Sequence, residues 1–438
     1  MKRSAALLLV FTLLLGLLSA CGSSEQSSVP DEADESVQYP VDTPDADAAA
    51  DTDTEKEPED AEPVAAAGDP YDAVKSYWKP EQLTQAWGPD QVVEHLFFHP
   101  IIAYPKYAFH ESGASQAQRY GLDDWMVTVD EYNKILQAVY DKGYILVAME
   151  DVWSEYTNEA GEQRMQRNTL MLPEGKKPLV ISFDDVNYYP YMLEEGFTSK
   201  LVVGDDGEIW AECTDPYTGE VFLTKELDAT PLLDTFVYEH PDFSLNGAKA
   251  IFSLTGYQGI LGYRTQDDRD IAKDSPERPA FEQYRAAEIE AVKPVIERLK
   301  ETGWTFGSHT WGHIRLADKP LQTVINDTER WADEVGSLVG PTQILFYPHG
   351  GRPDGDDWHK TGERFRYLQS QGFRVFASVG TSSFSYIKDD ISAVICDRLH
   401  PDGTTLRHAR SKYLQFYKAE DIMDVDVRPK DATHTVDW

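Results

Sequence analysis

Leu179-Val180-Ile181-Ser182-Phe183-Asp184-Asp185-Val186-Asn187 runs from an apolar segment straight into two adjacent carboxylates. A run with so little polar alternation reads as a strand covered on both faces, which is how strands of parallel sheets look. The carboxyl ends of such strands are where ligands and catalytic groups collect. Two carboxylates side by side at that rim repel each other unless a cation or a proton lies between them. The dipeptide itself carries little, because Asp123-Asp124, Asp205-Asp206, Asp267-Asp268, Asp356-Asp357 and Asp389-Asp390 repeat it. What separates Asp184-Asp185 is the hydrophobic strand in front of it.

A second short strand, Trp304-Thr305-Phe306, leads into Gly307-Ser308-His309-Thr310-Trp311-Gly312-His313. The i, i+4 spacing puts both imidazoles on one face if a helical turn begins there. Two histidines and a carboxylate make a three-ligand set with positions left for water and substrate, as catalytic divalent metals require. The spacing is not rare by itself, and its weight comes from landing on the same rim as Asp184 and Asp185.

Around these two segments, strand and helix alternate. Val92 to His99 reads as a strand, and Thr128-Val129-Asp130-Glu131 is a capping box opening a helix with Tyr132, Ile135, Leu136, Val139 and Tyr140 on one face. Gly143 stops that helix and Tyr144 to Met149 is the next strand. Phe197 to Pro279 is turn-rich and reads as a small β-hairpin insertion, with a return strand at Lys249 to Leu254. Helices over 279–302, 321–335 and 356–371 then alternate with strands over 304–306, 343–347 and 373–378. That order predicts an α/β fold with a parallel sheet, open or closed into a barrel.

Strand-Ser182-Phe183-Asp184-Asp185, followed later by strand-Ser308-His309-Thr310-x-x-His313, resembles the first two motifs of the polysaccharide deacetylase family, carbohydrate esterase family four. The resemblance runs from about Val92 to Leu406 and implies a distorted (β/α) barrel that removes acetyl groups from N-acetylated sugars, metal-bound water attacking the acetamide carbonyl. It implies that Asp184 is the general base and that Asp185, His309 and His313 hold a divalent metal, zinc first, with cobalt, nickel or manganese as substitutes. Phe346-Tyr347-Pro348-His349-Gly350 aligns with the family's third motif, which implies that the His349 backbone N–H faces the oxyanion.

The sequence departs from that pattern in three places. Val186 stands where the family has glycine, and Phe346 stands where the family has the arginine that orients the base, with Arg352 as a substitute. The family's closing Leu-x-His is not matched cleanly by His400 or His408, which leaves the His349 side chain as an alternative acid. Aromatic residues near the motifs, Tyr188, Trp311 and Tyr347 foremost and Tyr189, Tyr191, Tyr257, Trp358, Phe384 and Tyr386 beside them, are expected to supply sugar-stacking faces. Cys213 and Cys396 are expected either to pair or to remain free.

Lys2-Arg3, the apolar run from Ala5 to Leu18 and Leu18-Ser19-Ala20-Cys21 have the order of an export signal over residues 1–21. The ending resembles the lipobox of bacterial lipoproteins, which implies acylation at Cys21 and a lipid anchor on the outer face of the cell membrane. Residues 22–69 hold about sixteen acids against the single base Lys56 and show no apolar period, so they read as a disordered acidic tether. A lead-in at 70–91, a catalytic domain at 92–424 with its insertion near 197–279, and a tail at 425–438 complete the expected layout. The formal charge of −36 argues against nucleic acid or anionic lipid as a partner, because a field of that sign repels phosphate. The expected partner is an N-acetylglucosamine-containing polysaccharide. A non-catalytic glycan-binding lipoprotein and an O-acetyl carbohydrate esterase are the alternatives.

Overall fold

The computed structural model describes residues 68–355, 361–388 and 392–430. The export signal with Cys21, most of the acidic tether, Trp358 and the end of the expected tail lie outside the described residues.

Among the described residues the frame is a run of parallel strands, β1 (Glu94–Phe98), β2 (Lys177–Asp184), β3 (Ala250–Leu254), β4 (Thr305–Ser308), β5 (Ile344–Phe346), β6 (Val375–Val379) and β7 (Ala393–Arg398), with the short strand Tyr144–Leu146 also pairing in parallel with β2. Each pairs in parallel with the next, for example Ser253 opposite Asp184, Leu254 opposite Ser308 and Val379 opposite Arg398. The ring closes through a narrow seam, where Leu96 and Leu399 bridge in parallel and the Phe97 N–H donates to the Leu399 carbonyl at 2.9 Å. The result is a distorted (β/α) barrel, as the motifs implied.

Residues of β2 alternate, as the period of two requires. Leu179, Ile181 and Phe183 face outward against helices α1 (Val129–Asp141) and α2 (Arg278–Glu301), whose Leu136, Val139, Val292 and Val295 are buried there. Val180 faces inward among Ile251, Ile344, Phe346, Val375, Ala377, Val394 and Cys396. Ser182 and Asp184 continue that inward row toward the rim. The outward faces of β5 to β7 pack on α3 (Leu321–Trp331) and α4 (Glu363–Ser370) through Leu345, Phe376 and Ile395. Gly307 is needed inside β4, because a Cβ there would lie 2.5 Å from the Phe346 ring.

The capping box is present in full, with the Thr128 N–H donating to Glu131 and the Glu131 N–H to Thr128. Glu131 has a second duty. Arg428 is 1 % exposed and pairs with Glu131 at 2.6 Å and Asp123 at 2.7 Å, so part of the expected tail is a buried anchor for α1. The insertion is also larger than a hairpin. It holds a three-stranded antiparallel sheet, Lys200–Val203, Ile209–Thr214 and Val221–Thr224, followed by a helix over Ala229–Glu239 that Asp228 caps. Cys213 and Cys396 are both buried and free. Among the described residues no helix is long and apolar enough to cross a membrane.

Candidate active site

Asp184 ends β2 on its inward face and is 2 % exposed. Arg398, the last residue of β7, grips it with two parallel bonds, Nη1 donating to Oδ1 at 2.7 Å and Nη2 to Oδ2 at 2.9 Å. The guanidinium lies over two rings, with its carbon 4.1 Å from the centre of Phe97 and 4.4 Å from that of Phe346. Nη1 also donates to Ser182, whose hydroxyl meets His95 Nε2 at 2.9 Å. Burial alone would raise the Asp184 carboxyl, but Arg398 and His309 hold it well below the usual carboxylate range. Asp184 is therefore a buried anion with a fixed orientation.

This pair corrects two expectations about the base. The arginine missing at Phe346 is supplied from another strand, and Phe346 serves as part of the apolar bed beneath it. Arg352 is not the substitute, since it donates to Asp397 at 2.9 Å. The sequence held a signal for Arg398: like Asp184, it closes a short buried strand with a charge.

Asp185 follows at the rim with a left-handed backbone, φ 60°, which aspartate tolerates better than most residues. Its Oδ1 accepts the Tyr189 hydroxyl at 2.9 Å. Its Oδ2 lies 3.5 Å from His313 Nε2 and 4.0 Å from His309 Nε2. The ligand atoms of Asp185, His309 and His313 all stand within 4.8 Å of one another. Ligands each about 2.1 Å from a zinc ion are roughly 3.4 Å apart in a tetrahedron, so this donor set fits a divalent cation with little movement. The second nitrogen of His309 meets the Phe346 carbonyl at 3.0 Å, which fixes the ring and turns Nε2 toward the set. Burial, foremost, pulls His313 down to about 4, so its imidazole is neutral at neutral pH, as a ligand must be.

The two histidines do not share a helical turn. Thr310 and His313 have φ of 61° and 50°, which no right-handed helix admits. Instead Asp327, on α3, accepts the Trp311 and Gly312 N–H groups at 2.8 Å each, and the Ile314 N–H donates to Thr310 Oγ1. A side-chain-capped loop brings the rings together, with centres 4.9 Å apart.

His349 lies on the same rim with φ 55°, its ring centre 4.4 Å from that of His313. Two further imidazoles, not singled out as a pair by sequence, stand nearby. His99 Nδ1 meets the Trp125 carbonyl at 3.1 Å, and burial and the neighbouring His400 pull His99 down to about 4. His400 stacks on Phe97 at 4.2 Å, lies 4.6 Å from the His99 ring and meets Asp402 through Nδ1 at 2.8 Å. Its Nε2 is buried with no protein partner among the described residues.

The aromatic expectations need correcting. Tyr188 is 1 % exposed and donates to Asp228, and Tyr347 is 2 % exposed against Phe376, so neither offers a ring face to a sugar. One face of Trp311 is covered by Arg330, whose guanidinium carbon lies 3.3 Å from the ring centre. A cavity of about 320 Å³ opens at the opposite end of the strands, lined in part by Trp153, Lys300, Trp304, Ile344 and Val375. None of the carboxylates and imidazoles described above borders it.

A family model described as polysaccharide deacetylase matches residues 279–363, the segment carrying His309, His313 and His349. The match covers less than half of the chain and is a likeness of that segment to the family. Among solved structures, a deacetylase of Streptococcus pyogenes in complex with acetate is similar at 12% identity, over 72% of this chain and 94% of that one, with a TM-score of 0.35. A polysaccharide deacetylase of Bacillus cereus is similar at 13% identity, over 76% and 69% of the two chains, with a TM-score of 0.38. No curated protein matches the chain significantly.

Proposed function

We propose that the protein is a metal-dependent deacetylase acting on N-acetylated sugars of a cell-wall or surface polysaccharide. The observation that carries this reading is the meeting, on one barrel rim, of the Asp184–Arg398 pair with the Asp185, His309 and His313 donor set. A divalent cation held by those three residues, zinc first given two imidazoles and one carboxylate, would acidify water and polarise the acetamide carbonyl. Asp184, kept ionised and aimed by Arg398, takes a proton from the attacking water. The backbone N–H of His349 is offered to the oxygen on which charge develops. The leaving amine takes its proton from His400, whose ring Asp402 holds through Nδ1. The carbon–nitrogen bond then breaks to give acetate and a free amino sugar.

The departures at the base-orienting arginine and at the closing histidine, which favour a non-catalytic glycan binder, have physical substitutes in Arg398 and in His400 with Asp402. For place of action, we propose the outer face of the cell membrane, through a lipid on Cys21. A Cys21→Ser chain should then leave the membrane fraction.

The test is acetate release by the chelator-stripped protein on N-acetylglucosamine oligomers and a panel of N- and O-acetylated glycans. Zinc, cobalt, nickel and manganese are added back singly. Release from N-acetylated substrates is expected only with metal. His400→Gln should lower kcat by about 10²–10⁴-fold, whereas His349→Ala keeps its backbone N–H and should stay within a few-fold of the parent. Tight glycan binding without turnover under every metal would replace the enzyme with the binding reading. Turnover confined to O-acetyl groups would replace the substrate class.

A further inference from the structure

We propose that Tyr189 is a positioning residue for the metal site: its hydroxyl ties down one oxygen of Asp185, so that the carboxylate offers the cation a single oxygen. This inference rests on the metal reading above and adds to it a residue that none of the motifs contains.

The proton accounting decides the direction of each bond. The Tyr189 hydroxyl meets Asp185 Oδ1 at 2.9 Å and Thr255 Oγ1 at 2.7 Å, and it has one proton to give. An ionised carboxylate can only accept, so the tyrosine proton goes to Asp185. Thr255 must then donate to the tyrosine oxygen. Thr255 is fully buried and Tyr189 is 3 % exposed, so water does not compete readily for either bond. The result is a one-way chain, Thr255 to Tyr189 to Asp185, that ends on the oxygen turned away from the imidazoles.

The ring that carries the hydroxyl is itself held. Tyr257 stacks on it at 4.7 Å and 13°, and Tyr191 flanks it at 6.0 Å. Asp185 needs such support because its left-handed backbone is itself unfavourable, and strained ligands stay in place only when their surroundings fix them. Outer partners of this kind typically change metal affinity by about 10–100-fold when removed.

The test uses the full chain and its Tyr189→Phe variant, which keeps the ring and its stack. Zinc affinity is measured by competition with a chromophoric chelator, and the visible spectrum of the cobalt-loaded protein reports the ligand geometry. Zinc binding weakened about 10–100-fold and an altered cobalt spectrum are expected, with a modest fall in the metal-free melting temperature as the buried Thr255 hydroxyl and Asp185 Oδ1 lose their partner. Thr255→Val should shift affinity in the same direction by less. Tyr189→Phe binding zinc as tightly as the parent, while His313→Ala loses it, would overturn this inference and leave the metal reading standing. A weaker affinity with an unchanged cobalt spectrum would assign the loss to packing and overturn it too. A parent chain that binds no zinc would end both.

Discussion

Asp184→Asn should reduce acetate release by about 10²–10⁴-fold while zinc still binds. The amide has the shape of the carboxylate but cannot take a proton from water, so the loss falls on kcat and not on KM. Its oxygen can still accept from Arg398, whereas its NH₂ faces a second guanidinium donor where an acceptor stood. Arg398 then becomes a buried cation without its counter-charge, and a stability loss of about 3–5 kcal/mol accompanies the loss of rate. The two effects separate if kcat is normalised to folded, metal-loaded protein. Unaltered release by that fraction would remove Asp184 from the role of base.

Arg398→Met should change the pH dependence as well as the rate. In the parent, the folded Asp184 carboxyl lies below its unfolded value because Arg398 and His309 outweigh burial. Its stabilising contribution is therefore fully present above the unfolded value and is lost as pH falls through the folded one. Methionine keeps much of the volume between Phe97 and Phe346 but removes the charge. Burial then acts with less opposition and raises the carboxyl, so the ionised base survives only at higher pH. The acid limb of kcat/KM is expected to move toward neutrality, and stability near neutral pH to fall by about 3–5 kcal/mol. An acid limb at the parent's position would show that Arg398 does not set the state of the base.

The chemistry-bearing residues are legible in the sequence wherever a strand announces them. Runs such as Leu179 to Phe183 must be covered on both faces, and a charge at their end must stand on the rim, which is enough to place Asp184, Asp185, His309 and His313. Arg398 carries the same signal, a charge closing a short buried strand, but Asp397 before it weakens that signal, and its pairing with Asp184 is set only when the barrel brings β7 round to β2. The seam between Leu96 and Leu399 is likewise tertiary, joining the first and last strands of the ring. The helix Ala229–Glu239 escapes notice because Pro231, Asp234 and the neighbouring turns mask its apolar residues, yet Leu233 and Val237 are fully buried. The aromatic residues mislead for the opposite reason: rings near a site are as useful for packing as for sugars, and Tyr188 and Tyr347 pack.

X-ray absorption and anomalous diffraction from the zinc-loaded protein test the convergence of Asp185, His309 and His313 most directly. One ion bound by two imidazole nitrogens and one carboxylate oxygen, each at about 2.0–2.2 Å, is the predicted result. An ion held by other side chains, or a carboxylate of Asp185 turned away from both rings, would contradict it.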